Sequence, residues 1–304
     1  MRITDATLSN SFLRNLNRNL NQMQKYQNQL SSGKEVSKSS DNPMLVSKIM
    51  SLENNIMQNE QYNTNIKDSI GWVQTQDSAL AGVTAGLQRI RDLIIYGANE
   101  TLDTIDREAI KAEVAMEVEG IADVLNTNFD GRYIFAGQTT TTKPYSIVGN
   151  TLTYNEAANQ GADKNIFREI SKGVIIEIDT VGSSITSTDT ATTEDLGELM
   201  NNIILALENG DTNALSGDIL KDMDKHLENV IGVRSKVGAT TNRLEAAESR
   251  NVSENLNLET LFSERAHIDI AEKYMEYSVM KTVYQASLSA GAMILQPSLL
   301  DYLR

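Results

Sequence analysis

Apolar residues in the first part of the chain recur at intervals of three and four positions, which predicts a helix with one narrow apolar stripe. These alternating gaps are those of the a and d positions in a coiled coil. We expect the helix to end at Gly33, and the next helix to begin at Pro43, after the capping side chains of residues 39–42. The stripe consists of Leu13, Leu16, Leu20, Met23, Gln27 and Leu30, with Gln27 as its one polar member.

Helical periodicity returns after Pro43 and covers most of the remaining chain. Asp103 and Thr104 can cap one of these helices. Three internal glycines, Gly71, Gly82 and Gly86, should weaken another by about 1 kcal/mol each. The predicted stripes are Ile66, Ile70, Val73, Leu80, Val83, Leu87, Ile90 and Ile94; Ile110, Val114, Val118, Ile121 and Leu125; Leu196, Met200, Ile203 and Leu207; and Leu215, Ile219, Met223, Leu227, Val230, Val233 and Val237. From there the helical pattern continues nearly to Pro297, with a last stripe of Ile268, Ala271, Met275, Val279, Thr282, Ala286, Ala290 and Met293.

Between these helices lies a segment with the shorter pattern of strands and turns. Gly149-Asn150 is the signal of a two-residue hairpin between two of the strands. Residues 183–193 are almost all Ser, Thr, Asp and Ala, so we expect an exposed loop there. The strand candidates are Tyr133–Ala136, Tyr145–Val148, Thr151–Tyr154 and Val174–Ile178.

The composition excludes several classes of protein. The 304 residues contain 27 Lys and Arg against 41 Asp and Glu, and this formal charge of −14 argues against nucleic-acid binding, which needs a basic surface. Cysteine is absent, which excludes disulfide frameworks and thiolate metal sites. No apolar run reaches the roughly 18 residues of a membrane span, and the start has no apolar region typical of a secretory signal. Aromatic residues are only 5% of the chain, which favours thin helical cores completed by neighbouring chains.

No catalytic or metal-binding constellation emerges from the residues. The two histidines are far apart in sequence, and we expect His226 on a solvated helix face and His267 at a surface or an interface. Asp41 is interpreted as a helix cap. Trp72 is expected to pack in the helical core, with contact to a neighbouring subunit as the alternative. We therefore predict neither cofactor nor metal, and an enzyme on a helical scaffold is the disfavoured reading.

Several motifs resemble the bacterial flagellin superfamily and follow one another in that family's order. They are Leu30-Ser31-Ser32-Gly33 with Ser40-Asp41-Asn42-Pro43, Leu87-Gln88-Arg89-Ile90-Arg91-Asp92-Leu93, Val237-Gly238-Ala239-Thr240-Thr241-Asn242-Arg243-Leu244-Glu245, and Pro297-Ser298-Leu299-Leu300. Three further segments resemble the hook-associated proteins of the hook–filament junction: Phe129 to Gly137, Lys143-Pro144-Tyr145, and Thr193 to Glu198. The motif positions singled out are Ser32, Gly33, Asp41, Pro43, Gly131, Gly137, Asn242 and Arg243.

The pattern of elements and the resemblance agree on a mainly α fold. It is an elongated helical rod with long N- and C-terminal coiled-coil-forming helices and a small β-rich inserted domain. The rod domain is expected at residues 44–130 and 194–257, the insertion at 131–193, and the terminal segments, disordered in the monomer, at 1–43 and 258–304. The expected assembly interface comprises Leu13, Leu16, Leu20, Met23, Leu30, Ile268, Ala271, Met275, Val279, Ala286 and Met293.

The resemblance implies a non-enzymatic structural role in the extracellular flagellum, reached by flagellar export without a cleaved signal peptide. The leading hypothesis is a junction protein that links the hook region to the filament through helix packing between subunits. The alternative is a flagellin that builds the filament itself. The implied partners are further copies of the chain in a ring, a neighbouring hook-associated protein, flagellin and a cytoplasmic export chaperone.

Overall fold

A computed structural model describes residues 5–149, 151–155, 164–187 and 195–294 of the chain. Helices dominate this part, as predicted. None of them combines the length and the apolar character that crossing a membrane requires. The helices are α1 (Asp5–Ser32), α2 (Pro43–Gly97), α3 (Thr104–Leu125), α4 (Ser183–Thr186), α5 (Leu196–Asn209), α6 (Thr212–Ala214), α7 (Leu220–Ala266) and α8 (Ile270–Ile294), with a π-helical turn at Leu215–Ile219 before α7.

Three small antiparallel hairpins follow α3. The strands are β1 (Asn128–Phe129), β2 (Arg132–Tyr133), β3 (Tyr145–Val148), β4 (Thr151–Tyr154), β5 (Phe167–Ser171) and β6 (Val174–Glu177). They pair as β1–β2, β3–β4 and β5–β6. The predicted hairpin is confirmed, since Val148 pairs with Thr151 across Gly149, which has a φ of +68°. Asn150 lies outside the described residues.

The chain divides into two compact units. Unit 1 comprises Met1–Gln58 and Ser253–Arg304, and unit 2 comprises Asn59–Val252. Unit 2 contains the apolar core, because the predicted stripes of α2, α3, α5 and α7 are buried in it, apart from the half-buried Ile70, Ile219 and Leu227. Ion pairs at the surface of unit 2 also join its helices, with Arg89 to Glu113 between α2 and α3 and Arg91 to Asp224 between α2 and α7.

Two of the glycines expected to weaken α2 lie where α3 approaches most closely. A Cβ on Gly86 would come within 2.8 Å of the Ile121 side chain, and a Cβ on Gly82 within 3.2 Å of Val124. Glycine weakens the helix at these two positions, but it also lets α3 pack closely against α2, where a larger residue would push the two helices apart.

Several element predictions were wrong in detail. Ile134, Phe135 and Ala136 are fully buried but lie in a turn after β2 rather than in a strand. Residues 183–186 form α4 with Ile185 and Thr186 buried, so the start of the expected exposed loop is helical, and residues 188–194 lie outside the described part. The last predicted helix is interrupted at residues 267–269, where the Asp269 carboxylate accepts from the backbone N–H groups of Ala271 and Glu272 and starts α8.

Candidate assembly interface

Unit 1 is built around the antiparallel pairing of α1 with α8. Near the start of α1, a Cβ on Gly291 would overlap the Phe12 ring at 2.2 Å, so the two helices touch there without any room for a side chain. Further along, the Asn19 amide donates to Ser287 Oγ at 3.4 Å. At the other end, the Lys273 ammonium lies 5.8 Å from the centre of the Tyr26 ring, in the range of a cation–π contact.

Lys273 is also tied to two carboxylates, Glu276 Oε2 at 3.1 Å and Glu35 Oε2 at 3.7 Å. Partial burial alone would lower the pKa of Lys273, but the hydrogen bond to Glu276 and the charge of Glu35 raise it overall. The ammonium therefore stays charged and links the start of α8 to the segment that follows α1.

A short backbone ladder joins the segments that follow α1 and α7. Gly33 has a φ of +70°, and its N–H donates to the Gln29 carbonyl at 2.8 Å, which ends α1 as the sequence predicts. The Glu35 N–H then donates to the Ala266 carbonyl at 2.8 Å, and the Ile268 N–H donates to the Gly33 carbonyl at 3.1 Å. His267 is exposed in this ladder, with its ring edge-on to Phe262.

The predicted interface residues of α1 lie in and beside its seam with α8. Leu16, Leu20, Met23 and Leu30 are half-buried, whereas Leu13 is 46% exposed. The polar member that is buried is Gln29, whose amide donates to the Glu35 carbonyl at 2.7 Å, while Gln27 is exposed.

Helix α8 has two faces of different exposure. The face turned to α1 is buried or half-buried and consists of Lys273, Tyr277, Met280, Tyr284, Ser287 and Gly291. The predicted interface residues lie mainly on the other face, with Met275 63%, Val279 59% and Met293 76% exposed, Ala271 and Ala286 exposed, and Ile268 half-buried just before the helix. An apolar row of this length on the outside of a helix is unpartnered within the described part of the chain.

The described residues of unit 1 form no apolar core of their own. Its buried residues, within the described part, are Gln29, Ala266 and Gly291, and its large apolar side chains are half-buried or exposed. Burying a Leu or Met side chain fully contributes roughly 1.5–3 kcal/mol, so this unit gains little of that stabilisation from its own residues.

The motif residues mostly serve local structure. The Ser32 hydroxyl donates to the Gln29 carbonyl. The interpretation of Asp41 as a helix cap was wrong, because its carboxylate accepts from the Lys38 N–H of the preceding turn. The Asn42 side chain caps α2 instead, by accepting from the Leu45 N–H, so that Pro43 occupies the first helical position. Gly131 and Gly137 have positive φ values of 77° and 58°. Asn242 and Arg243 are different, because both are exposed on α7. Pro297 and the three residues after it lie outside the described part.

No group of three or more His, Asp or Glu side chains in the described residues could hold a metal ion. The prediction of a solvated His226 was wrong, because that side chain is fully buried on the inner face of α7, between Met223 and Val230 in the helical repeat. Trp72 is buried, edge-on to Phe129 with ring centres 6.0 Å apart, which confirms its core role.

Known families match both ends of the chain. The bacterial flagellin N-terminal helical region matches residues 3–140, and the bacterial flagellin C-terminal helical region matches residues 220–303. The chain belongs to the bacterial flagellin superfamily. The predicted resemblance is thereby confirmed.

Its relatives within the superfamily include both predicted kinds of protein. Flagellar hook-associated protein 3 of Escherichia coli (strain K12) is 28% identical, over 95% of this chain and 96% of that protein. A flagellin of Halalkalibacterium halodurans is also 28% identical, over 90% of this chain and 88% of that protein. Among solved structures, FlgL of Bacillus cereus has a TM-score of 0.57 at 23% identity, covering 70% of this chain and 99% of that one. The flagellar hook-associated protein-3 of Legionella pneumophila has a TM-score of 0.63 at 14% identity, covering 71% and 98%. These structures share the fold of this chain.

Proposed function

We propose that this chain is a structural component of the extracellular bacterial flagellum, the junction protein that links the hook region to the flagellin filament. The observation that carries the proposal is that the described residues of unit 1 form no core of their own, while its helix α8 exposes an apolar face to solvent. Flagellar hook-associated protein 3 of Escherichia coli, which matches over 95% of this chain and 96% of its own length, supports the junction role. Such a role needs no catalysis.

In the proposed mechanism, the exposed row of Met275, Val279 and Met293 on α8 packs against the terminal helices of neighbouring copies in a ring. This would bury the apolar area that unit 1 leaves open, with hook-associated protein on one side of the ring and flagellin on the other. The proposed interface also includes Leu13 at the exposed edge of α1.

We further propose that residues 1–43 and 258–304 become ordered only on assembly. Half-buried contacts between two helices stabilise such a pair weakly in water. Limited proteolysis of the purified chain should remove both ends quickly and leave a resistant fragment near residues 59–252. Ends that resist protease as well as the middle does would contradict this proposal.

The junction role is tested by electron microscopy of a strain that lacks the gene, together with an assay of flagellin in the culture medium. Hooks without filaments, and flagellin released into the medium, are the expected result. The alternative, a flagellin, is kept because the flagellin of Halalkalibacterium halodurans is as similar in identity as the junction relative. Loss of the major filament protein itself, with nothing released, would establish the alternative.

A cytoplasmic export chaperone is the remaining proposed partner. It would cover the exposed α8 face before export, since an apolar row of that length invites association. A chain that ends at Leu261 should fail to retain the chaperone in a pull-down from cytoplasm of the producing strain. A chain that begins at Leu30, and so keeps α8, should retain it. Equal retention by both truncations would contradict the proposal.

A further inference from the structure

Helix α3 has a second apolar face, on the side opposite the core of unit 2. Ile105 is 72% and Met116 74% exposed, and the residues between them on the same face are Ala109 and Ala112. The exposed row is Ile105, Ala109, Ala112, Met116 and Gly120, with spacings of three or four residues. At 1.5 Å per residue it runs for about 23 Å.

The flanks of this row are acidic. Helix α3 contains six acidic and two basic residues. Glu113 is paired with Arg89, and Lys111 with Glu208, inside the same chain. Glu108 and Glu119 are exposed beside the apolar row, and neither has a cation within ion-pair distance in the described part of the chain.

Helix α7 exposes a face of complementary character. Its cations Lys236, Arg243 and Arg250 recur at every seventh residue and are exposed. The small residues Gly232, Ala239 and Ala246 recur with the same period beside them, also exposed. Seven residues are close to two helical turns, so both sets form rows along one side of α7. The row of small residues allows the backbone of a partner helix to approach α7 closely. The cationic row extends for about 21 Å.

We propose that the α3 face of one subunit packs on the α7 face of a second copy of this chain. Ile105 and Met116 would lie along the row of small residues, while Glu108 and Glu119 meet the cations of α7. The two faces are different patches of one molecule, so the contact is heterologous and repeats head to tail, which generates a closed ring or an open helical array. The inference rests on the proposed function in that it names the surfaces that a ring of copies would use.

Because the chain contains no cysteine, introduced thiols are its only ones and can test the contact directly. A full-length Met116→Cys/Ala239→Cys chain, expressed in place of the natural one, is treated with a short bis-maleimide in isolated flagella. We expect a ladder of covalent dimers and higher multimers on a denaturing gel. A crosslink within one chain joins no second chain, so it cannot produce the ladder.

Matched variants distinguish the possible contacts. Leu205→Cys, exposed on α5, replaces Met116→Cys in the control pair and should give no ladder. Dimers from Met116→Cys alone would mean that α3 packs on α3, and would overturn the proposal. A ladder no stronger than that of the control pair would overturn it as well.

Charge exchange tests the same contact in purified full-length protein. The charge reversals are made in the Met116→Cys/Ala239→Cys chain. We expect the crosslinked fraction of that chain to fall roughly tenfold with either pair of reversals, Glu108→Lys/Glu119→Lys or Arg243→Glu/Arg250→Glu, because like charges then face each other. An equimolar mixture of the two variants should recover multimers, since each reversed α3 face then meets a reversed α7 face. Failure of the mixture to recover would overturn the pairing even if the cysteine chain is not incorporated into flagella.

These outcomes are separable from those of the proposed function. A chain that is present at hook tips and needed for filaments, but gives no ladder, would contradict the α3–α7 contact alone. A ladder in purified protein, with filaments still assembled by the deletion strain, would contradict the junction role alone.

Discussion

At the scale of single residues, a buried carboxylate connects the β-rich part of unit 2 to α2. The Gln76 amide donates both to Asp179 Oδ1 and to the Ile134 carbonyl, each at 3.0 Å. Burial raises the pKa of Asp179 to about 7, although hydrogen bonds from the Thr180 backbone and from Gln76 act in the opposite direction. The carboxyl group therefore titrates far above the usual range of an aspartate.

This raised pKa predicts that unit 2 loses stability as the pH rises. An unfolded Asp titrates near pH 4, so between about pH 4 and 7 the folded state binds more protons than the unfolded state, and the free energy of unfolding falls with increasing pH. Asp179→Asn should remove that slope and raise the free energy of unfolding at pH 8, by up to about 4 kcal/mol. Urea unfolding of the wild-type and Asp179→Asn proteins at pH 5 and pH 8 measures this change in the free energy of unfolding.

The matched control for this prediction is Asp68→Asn, because Asp68 is exposed on α2. It should leave the pH dependence of the wild-type chain in place. A flat pH profile in the wild-type protein would contradict the assignment to Asp179.

Two helical glycines predict alanine substitutions of opposite sign. A Cβ on Gly197, in the first turn of α5, would lie 1.9 Å from the Leu152 carbonyl oxygen of β4, which is backbone and cannot move aside. Gly197→Ala should therefore destabilise unit 2 by roughly 2 kcal/mol or more, through strain. Gly238→Ala, on α7 with nothing within 4 Å, should stabilise it by about 0.5–1 kcal/mol. Thermal unfolding of both variants measures these changes in stability. Equal changes in the two variants would contradict the α5–β4 contact.

At the scale of elements, α2 and α7 are held in register by a reciprocal pair of buried amides. The Asn59 amide donates to the Asn251 carbonyl at 3.0 Å, and the Asn251 amide donates to Asn59 Oδ1 at 2.6 Å and to its carbonyl at 3.2 Å. A buried polar pair between helices favours the one alignment in which these three hydrogen bonds form. The triplet Asn251-Val252-Ser253 fits the glycosylation sequon, but Asn251 itself is a buried structural amide.

Removing one member of this pair should cost more than removing both. Asn251→Leu leaves the buried Asn59 Oδ1 without its donor, the Asn251 amide, which costs roughly 1–3 kcal/mol, whereas Asn59→Leu/Asn251→Leu should recover much of that loss. A double-mutant cycle by urea unfolding measures the coupling. Additive effects of the two substitutions would contradict the pairing.

How well each element was predicted depended on what its sequence pattern reports. The stripes of α2 and α3 repeat over many turns, and Gly149 marks the β3–β4 hairpin, so these features followed from the residues. Strand β5 was missed, because the short segment Phe167–Ser171 has only Ile170 buried. The run at residues 134–136 is apolar because it is buried, which says nothing about whether it is strand or turn.

The candidate interface was predicted less completely than the fold. The period of α8 was correct, but a stripe alone does not tell which face meets α1 and which stays open. The inner face uses Lys273, Ser287 and Gly291, which hydrophobicity does not mark. His226 was misplaced for a related reason, since its charged neighbours in sequence concealed its position on the buried side of α7.

At the scale of the whole molecule, units 1 and 2 should respond separately to substitution. Leu20 is half-buried on α1, and Leu20→Asp or Leu16→Asp puts a charge into a contact of unit 1 while leaving the core of unit 2 untouched. We expect thermal unfolding of unit 2, followed by circular dichroism, to be unchanged while assembly is lost. Asn21→Asp, exposed on the same helix, is the control and should assemble normally. Normal assembly by the Leu20 variant would contradict the role of α1.

The pairing of α2 with α7 has a further consequence, for the order of events in folding. Its contacts join Arg91 to Asp224, Asp77 to Arg234 and Asn59 to Asn251, which are 133, 157 and 192 residues apart in the chain. These contacts are nested in sequence, so the two helices can pair first at Arg91 and Asp224 and then progressively toward Asn59 and Asn251. Contacts between such distant residues form slowly, because a long loop must close first. During synthesis, which starts at the N-terminus, this pairing cannot be completed until residue 251 has left the ribosome. Helix α2 therefore stays without its α7 contacts until most of the chain has been made.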